Sequence, residues 1–161
     1  MEDKNSPAPS AGQQRTGQGK QKDKRRIYLT TDGFFNNRPH IKKPRRIAVV
    51  DQRRMDGALA VVKIYSAEGK TGTDYIGDLI LTPDKHSSLT KNSIVGRQVY
   101  IGIKKNNTFV PLYRGDFEPT EDMLTHREYR AVRRNMGGPT RENKRTAKRT
   151  IRKWKRGFKR K

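Results

Sequence analysis

Cations and aromatic rings stand side by side at several points of this 161-residue chain, and together they are equipped for nucleic-acid chemistry. Phe34 and Phe35 precede Arg38, His40, Lys42 and Lys43. Lys63 interrupts an apolar run, Arg97 follows Gly96 between two β-branched runs, and Lys148, Arg149 and Arg152 lie close to Trp154. Phosphates pair with such cations while unstacked bases lie on π-faces, so the interleaving suits single-stranded nucleic acid. For Phe34 and Phe35 a second role is open, plugging the mouth of the core.

Composition points the same way. Lys and Arg number 38 against 16 acidic residues, a net charge of +22, and a chain so charged repels itself unless a polyanion or solvent absorbs the charge. An acidic membrane surface is the weaker rival partner. Cysteine is absent, which excludes disulfides and thiolate metal sites, and neither a metal nor another cofactor is expected. The longest apolar run, Ala58 to Val62, is far too short to span a bilayer, and the first residues lack the apolar stretch of a signal peptide. The expectation is a cytoplasmic protein with no membrane partner. Glu68-Gly69-Lys70-Thr71 invites a phosphate-loop reading, which fails because Ile64 stands where that pattern needs its first Gly. His86 sits in the polar loop Thr82 to Ser88 and reads as a solvated side chain.

The elements that must position these groups lie between Arg45 and Lys104. Ile47–Val50, Leu59–Val62, Ile76–Leu81, and Ile94-Val95 leading into Val99–Ile101 are short β-branched runs between turn formers, the pattern of strands. Asp56-Gly57 and Asn106-Asn107 supply residues able to take φ > 0 at hairpin turns. With only 30% hydrophobic residues the core must be compact. The expected fold is mainly β, an antiparallel sheet rolled into a small barrel, with Lys63 and Arg97 on a basic face opposite the core.

Around that core the chain divides into four parts. Residues 1–26 hold seven basic and three acidic residues and no Val, Leu or aromatic before position 27, which predicts a disordered basic arm. The barrel occupies 27–118, beginning with the β-prone Ile27–Thr30, and the segment Phe34 to Pro44 is a loop. A helix is expected over 119–135, started by Pro119-Thr120-Glu121-Asp122. Residues 136–161 form a basic helical tail: from Pro139 on there are twelve Lys or Arg and one Glu, with Ala147, Ile151, Trp154 and Phe158 on one helical face. Such a tail would clamp phosphate without reading sequence.

The order of core motifs resembles the MazF/PemK-type toxins. Arg45-Arg46-Ile47-Ala48-Val49-Val50 is similar to the family's strand opened by Arg, and Val62-Lys63-Ile64-Tyr65-Ser66 to a second strand ending on a hydroxyl residue. Asn92-Ser93-Ile94 and Gln98-Val99 echo a later pair. The resemblance covers about Ile27 to Leu112. It departs at Arg46, where the family has Pro, at Ser66 for Thr, at Asn92 for an acidic residue, and in the segment Arg38 to Pro44 that replaces a Gly-rich loop.

The resemblance implies an SH3-like barrel that dimerises, pairs with an antitoxin protein and cuts single-stranded RNA without a metal. In that chemistry the 2′-OH attacks its own phosphate, and the site must stabilise a dianionic phosphorane. Arg45 would grip the phosphoryl oxygens, Ser66 would donate a hydrogen bond to the growing charge, and His40 would carry the proton. The alternative is a non-catalytic DNA- or RNA-binding barrel, from a mobile element or a ribosome-associated factor, in which these residues and Arg46 serve binding alone.

Overall fold

The protein's structure, a computed structural model, describes residues 24–52 and 57–137. Residues 138–161 of the expected basic tail, with Lys148, Arg149, Arg152 and Trp154, lie outside the described residues, as do positions 1–23 of the expected arm and Asp56 of the expected hairpin turn. Among the described residues eight strands follow one another: β1 (Arg26–Thr31), β2 (Pro44–Gln52), β3 (Ala58–Ser66), β4 (Tyr75–Leu81), β5 (Ser93–Tyr100), β6 (Gly102–Lys105), β7 (Thr108–Tyr113) and β8 (Glu118–Met123). A one-turn helix α1 (Asp32–Phe35) follows β1, and α2 (His126–Asn135) follows β8.

All pairings are antiparallel. The sheet runs β4-β5-β3-β2-β1-β8, with β7 joining the start of β3 and β6 pairing β7. Asn106 and Asn107 take φ of 47° and 65°, so the β6–β7 turn is made by the two residues expected to make it. At the other hairpin Gly57 has φ 73°.

Three expectations change. First, the sheet does not close into a barrel: β4 and β8 end the ladder without pairing each other. Helix α2 packs beside them against β4, β2 and β5, and its Val132 and the half-buried Tyr129 supply apolar surface that a closing strand would otherwise provide. Second, the expected helix start at Pro119 to Asp122 is strand β8. The outer edge of β1 needed hydrogen-bond partners, and β8 supplies them, with Thr120 Oγ1 donating to the Ile27 carbonyl at 2.6 Å. The helix begins only at His126, where Thr125 caps it by accepting from the Glu128 amide while Glu128 accepts from the Thr125 amide. Third, Arg25 and Arg26 are not part of a loose arm. Arg25 donates to the Leu124 carbonyl at 2.8 Å, and Arg26 opens β1 and donates to the Thr120 carbonyl at 2.7 Å.

Strands β2 and β3 are buried on both faces. Alternation sends Ala48, Val50, Val62 and Ile64 into one apolar cluster, roofed by Leu124 and Val132, and Ile47, Val49, Leu59 and Val61 into a second, roofed by Leu112 and Phe117. The basic face expected opposite the core is therefore not an exposed one: Lys63 on β3 is buried and Arg97 on β5 half-buried.

Candidate nucleic-acid interface

The short helix α1 and the loop after it fix the first group of the site. Gly33 is buried, and a Cβ there would run into the carbonyl oxygens of Arg38 and Ile41, so the loop can wrap tightly only around glycine. The wrap is held by Arg38 N–H on the Gly33 carbonyl at 2.8 Å and Asp32 N–H on the Lys43 carbonyl at 2.8 Å. It sends Phe34 and Phe35 into the second cluster, where Phe34 meets Phe117 edge-on at 5.2 Å and Phe35 lies 5.0 Å from Tyr100. Both rings therefore pack, and both stay partly exposed.

Asp32 is then placed against Arg45. The Arg45 guanidinium donates from Nε and Nη2 to the two Asp32 oxygens at 2.8 and 2.7 Å and from Nη1 to the Ile64 carbonyl at 3.2 Å, with the Tyr65 ring 4.5 Å below it. Lys63 Nζ is 3.7 Å from Asp32 and stands over the rings of Phe35 at 4.6 Å and Tyr100 at 5.0 Å. Two cations thus share one carboxylate in an aromatic enclosure. The hydrogen bond from Arg45 holds Asp32 below the usual carboxylate range against the opposing effect of burial. Burial pushes Lys63 down, partly offset by Asp32. Burial, with the neighbouring Tyr100, pushes the Tyr65 phenol up to about 12, so it stays a neutral donor.

Two cavities open here, and Tyr65 lines both. The smaller, 220 Å³, is lined by Lys43, Arg45, Arg46, Lys70 and Lys91 together with Ser66 and Ser93, and no carboxylate is among its lining residues. Ser66 on β3 and Ser93 on β5 face each other in register. The larger, 520 Å³, has Tyr65, Tyr75 and Tyr100 in its walls, Lys63 and Arg97 as its cations, and Asp74 and Gln98 beside them. Gly96 lies at its side, where a Cβ would come within 3.0 Å of the Tyr65 ring.

Of the residues picked out in the sequence, the structure brings Lys43, Arg45, Arg46 and Ser66 to one cavity and Lys63 and Arg97 to its neighbour. Arg46 is braced by donating Nε to the Ser88 carbonyl, and Arg97 by donating to the Tyr75 carbonyl at 3.2 Å and the Asn135 carbonyl at 2.7 Å. Arg38, His40 and Lys42 are exposed and line neither cavity. Sequence reasoning missed Tyr65, Tyr75 and Tyr100, and also Asp32. The signal available for the tyrosines was that Tyr65 follows Lys63 at the spacing of one strand face.

His86 departs most from expectation. It is fully buried, with Nδ1 2.8 Å from Asp122 and Nε2 2.9 and 3.1 Å from the two oxygens of Glu128. Burial alone would push the imidazole down, but the hydrogen bonds to Glu128 and Asp122 outweigh it and the shift is upward. With a carboxylate at each nitrogen both must donate, so His86 is an imidazolium tying its loop to β8 and α2. Ser88 also donates to Asp122, but it does not bond His86, and no substrate reaches a ring this buried.

Compared with protein-family models, with curated proteins and with solved structures, the chain finds no match.

Proposed function

We propose that this protein binds RNA through the cationic face where β2, β3 and β5 end. The observation that carries this reading is the smaller cavity, where five Lys or Arg residues converge on two in-register serine hydroxyls with no lining carboxylate. Asp32 neutralises Arg45 from behind, and the remaining four cations still favour an anion, for which a phosphodiester offers the matching charge and acceptors. The composition supports a polyanionic partner independently, at +22. The test is RNA binding by the full chain across a salt series. Lys91→Ala, at an exposed position, is expected to lower affinity and to make the salt slope shallower by about one. An unchanged slope in this variant and in Lys43→Ala removes the cavity from the interface.

A second reading, RNA cleavage of the MazF/PemK kind in an SH3-like setting, is favoured by one observation: Arg45 and Ser66 line the same cavity. Against it, the Arg45 guanidinium is already bidentate with Asp32, and His40 lines neither cavity. We therefore rank binding above cleavage. Incubation of a long RNA with the protein in EDTA separates them: cleavage that Arg45→Ala abolishes establishes the enzyme, and intact RNA with retained binding establishes the binder. The same contrast decides whether an antitoxin partner is called for, since a binder without cleavage has no need of one.

A further inference from the structure

Resting on the RNA-binding reading, we propose that the two cavities divide one nucleotide between them, the smaller holding its phosphate and the larger its unstacked base. Charge and size assign the roles. The smaller cavity carries five cations and no carboxylate, which favours a phosphate, and its 220 Å³ falls below the range of about 300–1,000 Å³ usual for organic ligands. The larger cavity's 520 Å³ lies within that range, and Asp74 on its lining makes it a poor second phosphate site.

What the larger cavity offers instead is π-surface and polar edges. Tyr65 and Tyr75 stand edge to face at 5.5 Å, and Tyr100 shares the wall, so a planar ring entering there meets aromatic surface. Gln98 and Asp74, both exposed, can meet the hydrogen-bonding edge of the ring. The Tyr65 ring has the guanidinium of Arg45 on it and lines both cavities, which makes it the partition between phosphate and base. A base can enter only after leaving its stack and its pairing partner, so the arrangement selects single strands.

The experiment uses the full chain and three probes of equal length: a single-stranded RNA, the same RNA as a duplex, and an abasic phosphodiester strand. The single strand is expected to bind about tenfold more tightly than the abasic strand, the size of one base–aromatic contact. Tyr75→Ala, at a ring that lines the larger cavity and not the smaller, is expected to remove that advantage while leaving abasic binding unchanged. Should Tyr75→Ala fail to fold, Tyr75→Leu, which keeps apolar bulk without a π-face, replaces it with the same expectation. Lys91→Ala is expected to weaken all three probes alike. Equal binding of single and abasic strands, or tyrosine variants that weaken all probes evenly, overturns the division of the nucleotide and leaves RNA binding standing. No binding of any probe overturns both.

Discussion

Two charge clusters among the described residues are built from the same kinds of group in opposite ratio. In one, Asp32 is shared by Arg45 and Lys63, and Arg45 lines the 220 Å³ cavity. In the other, His86 is shared by Asp122 and Glu128 and is sealed at 0% exposure. The first has positive charge to spare and faces open space, so a bound anion completes it. The second has every nitrogen and both carboxylates engaged inside the protein, so it has nothing left for a ligand. A buried ion cluster therefore signals binding only when its charge is unbalanced toward an accessible cavity. When it is closed, it serves to fasten elements together.

The comparison can be broken most forcefully at His86. Removing it leaves two buried carboxylates facing each other, so His86→Ala is expected to destabilise the fold by about 3–5 kcal/mol, measured by urea unfolding. The RNA affinity of the folded fraction should stay near that of the parent protein. A variant that keeps its stability but loses RNA would reverse the roles assigned to the two clusters.

Asp32→Ala should cost less, about 2 kcal/mol, because the Asp32 side chain is 21% exposed and water can partly solvate the cations it leaves behind. Here the affinity of the folded fraction should rise, since Arg45, which lines the smaller cavity, is released for phosphate. Weaker RNA binding in this variant would mean that the carboxylate positions the cations.

The clusters should also respond to pH with opposite signs. The folded value of His86 is raised, so its stabilisation is complete below the unfolded value of 6.5 and is lost as pH rises through the folded one. For Lys63 the folded value is lowered, so between that value and the unfolded 10.5 the unfolded chain holds the extra proton and stability rises with pH. Urea midpoints followed from neutral to alkaline pH should lose their falling limb in His86→Gln and their rising limb in Lys63→Met. Parallel curves for all three proteins would contradict the opposed shifts.

The smallest effect sharpens the contrast. Thr125 caps α2 through Glu128, one of the carboxylates on His86. Thr125→Ala is expected to cost about 1 kcal/mol. If cap and imidazolium share Glu128 as one unit, the loss in a His86→Ala background is smaller than in the parent, as a double-mutant cycle would show.

Some of this was legible from local pattern. The β-branched runs at Ile47, Leu59, Ile76 and Ile94 became strands, and Asn106-Asn107 became a turn, because alternation and φ preference act over a few residues. Arg45 and Ser66 stood out through the order of strand motifs, and Lys43 and Arg46 through their charge. Pro119 to Asp122 misled, since its helix-start chemistry was outweighed by the unpaired edge of β1, ninety residues away in the chain. The Lys63–Tyr65 spacing hinted at Tyr65 alone, because the approach of Tyr75 and Tyr100 to it depends on how β4 and β5 pair beside β3.

The sequence by itself determined the strand content, the cationic character and the absence of cysteine chemistry, all of which follow from composition and short-range geometry. Tertiary structure alone decided which charges are spent and which are free. Arg45 gave up its guanidinium to Asp32, thirteen residues away, and His86 left a polar loop to be buried between carboxylates 36 and 42 residues further on. Those choices rest on desolvation, which no residue carries alone: a charge taken out of water must find its partner wherever the fold has placed one.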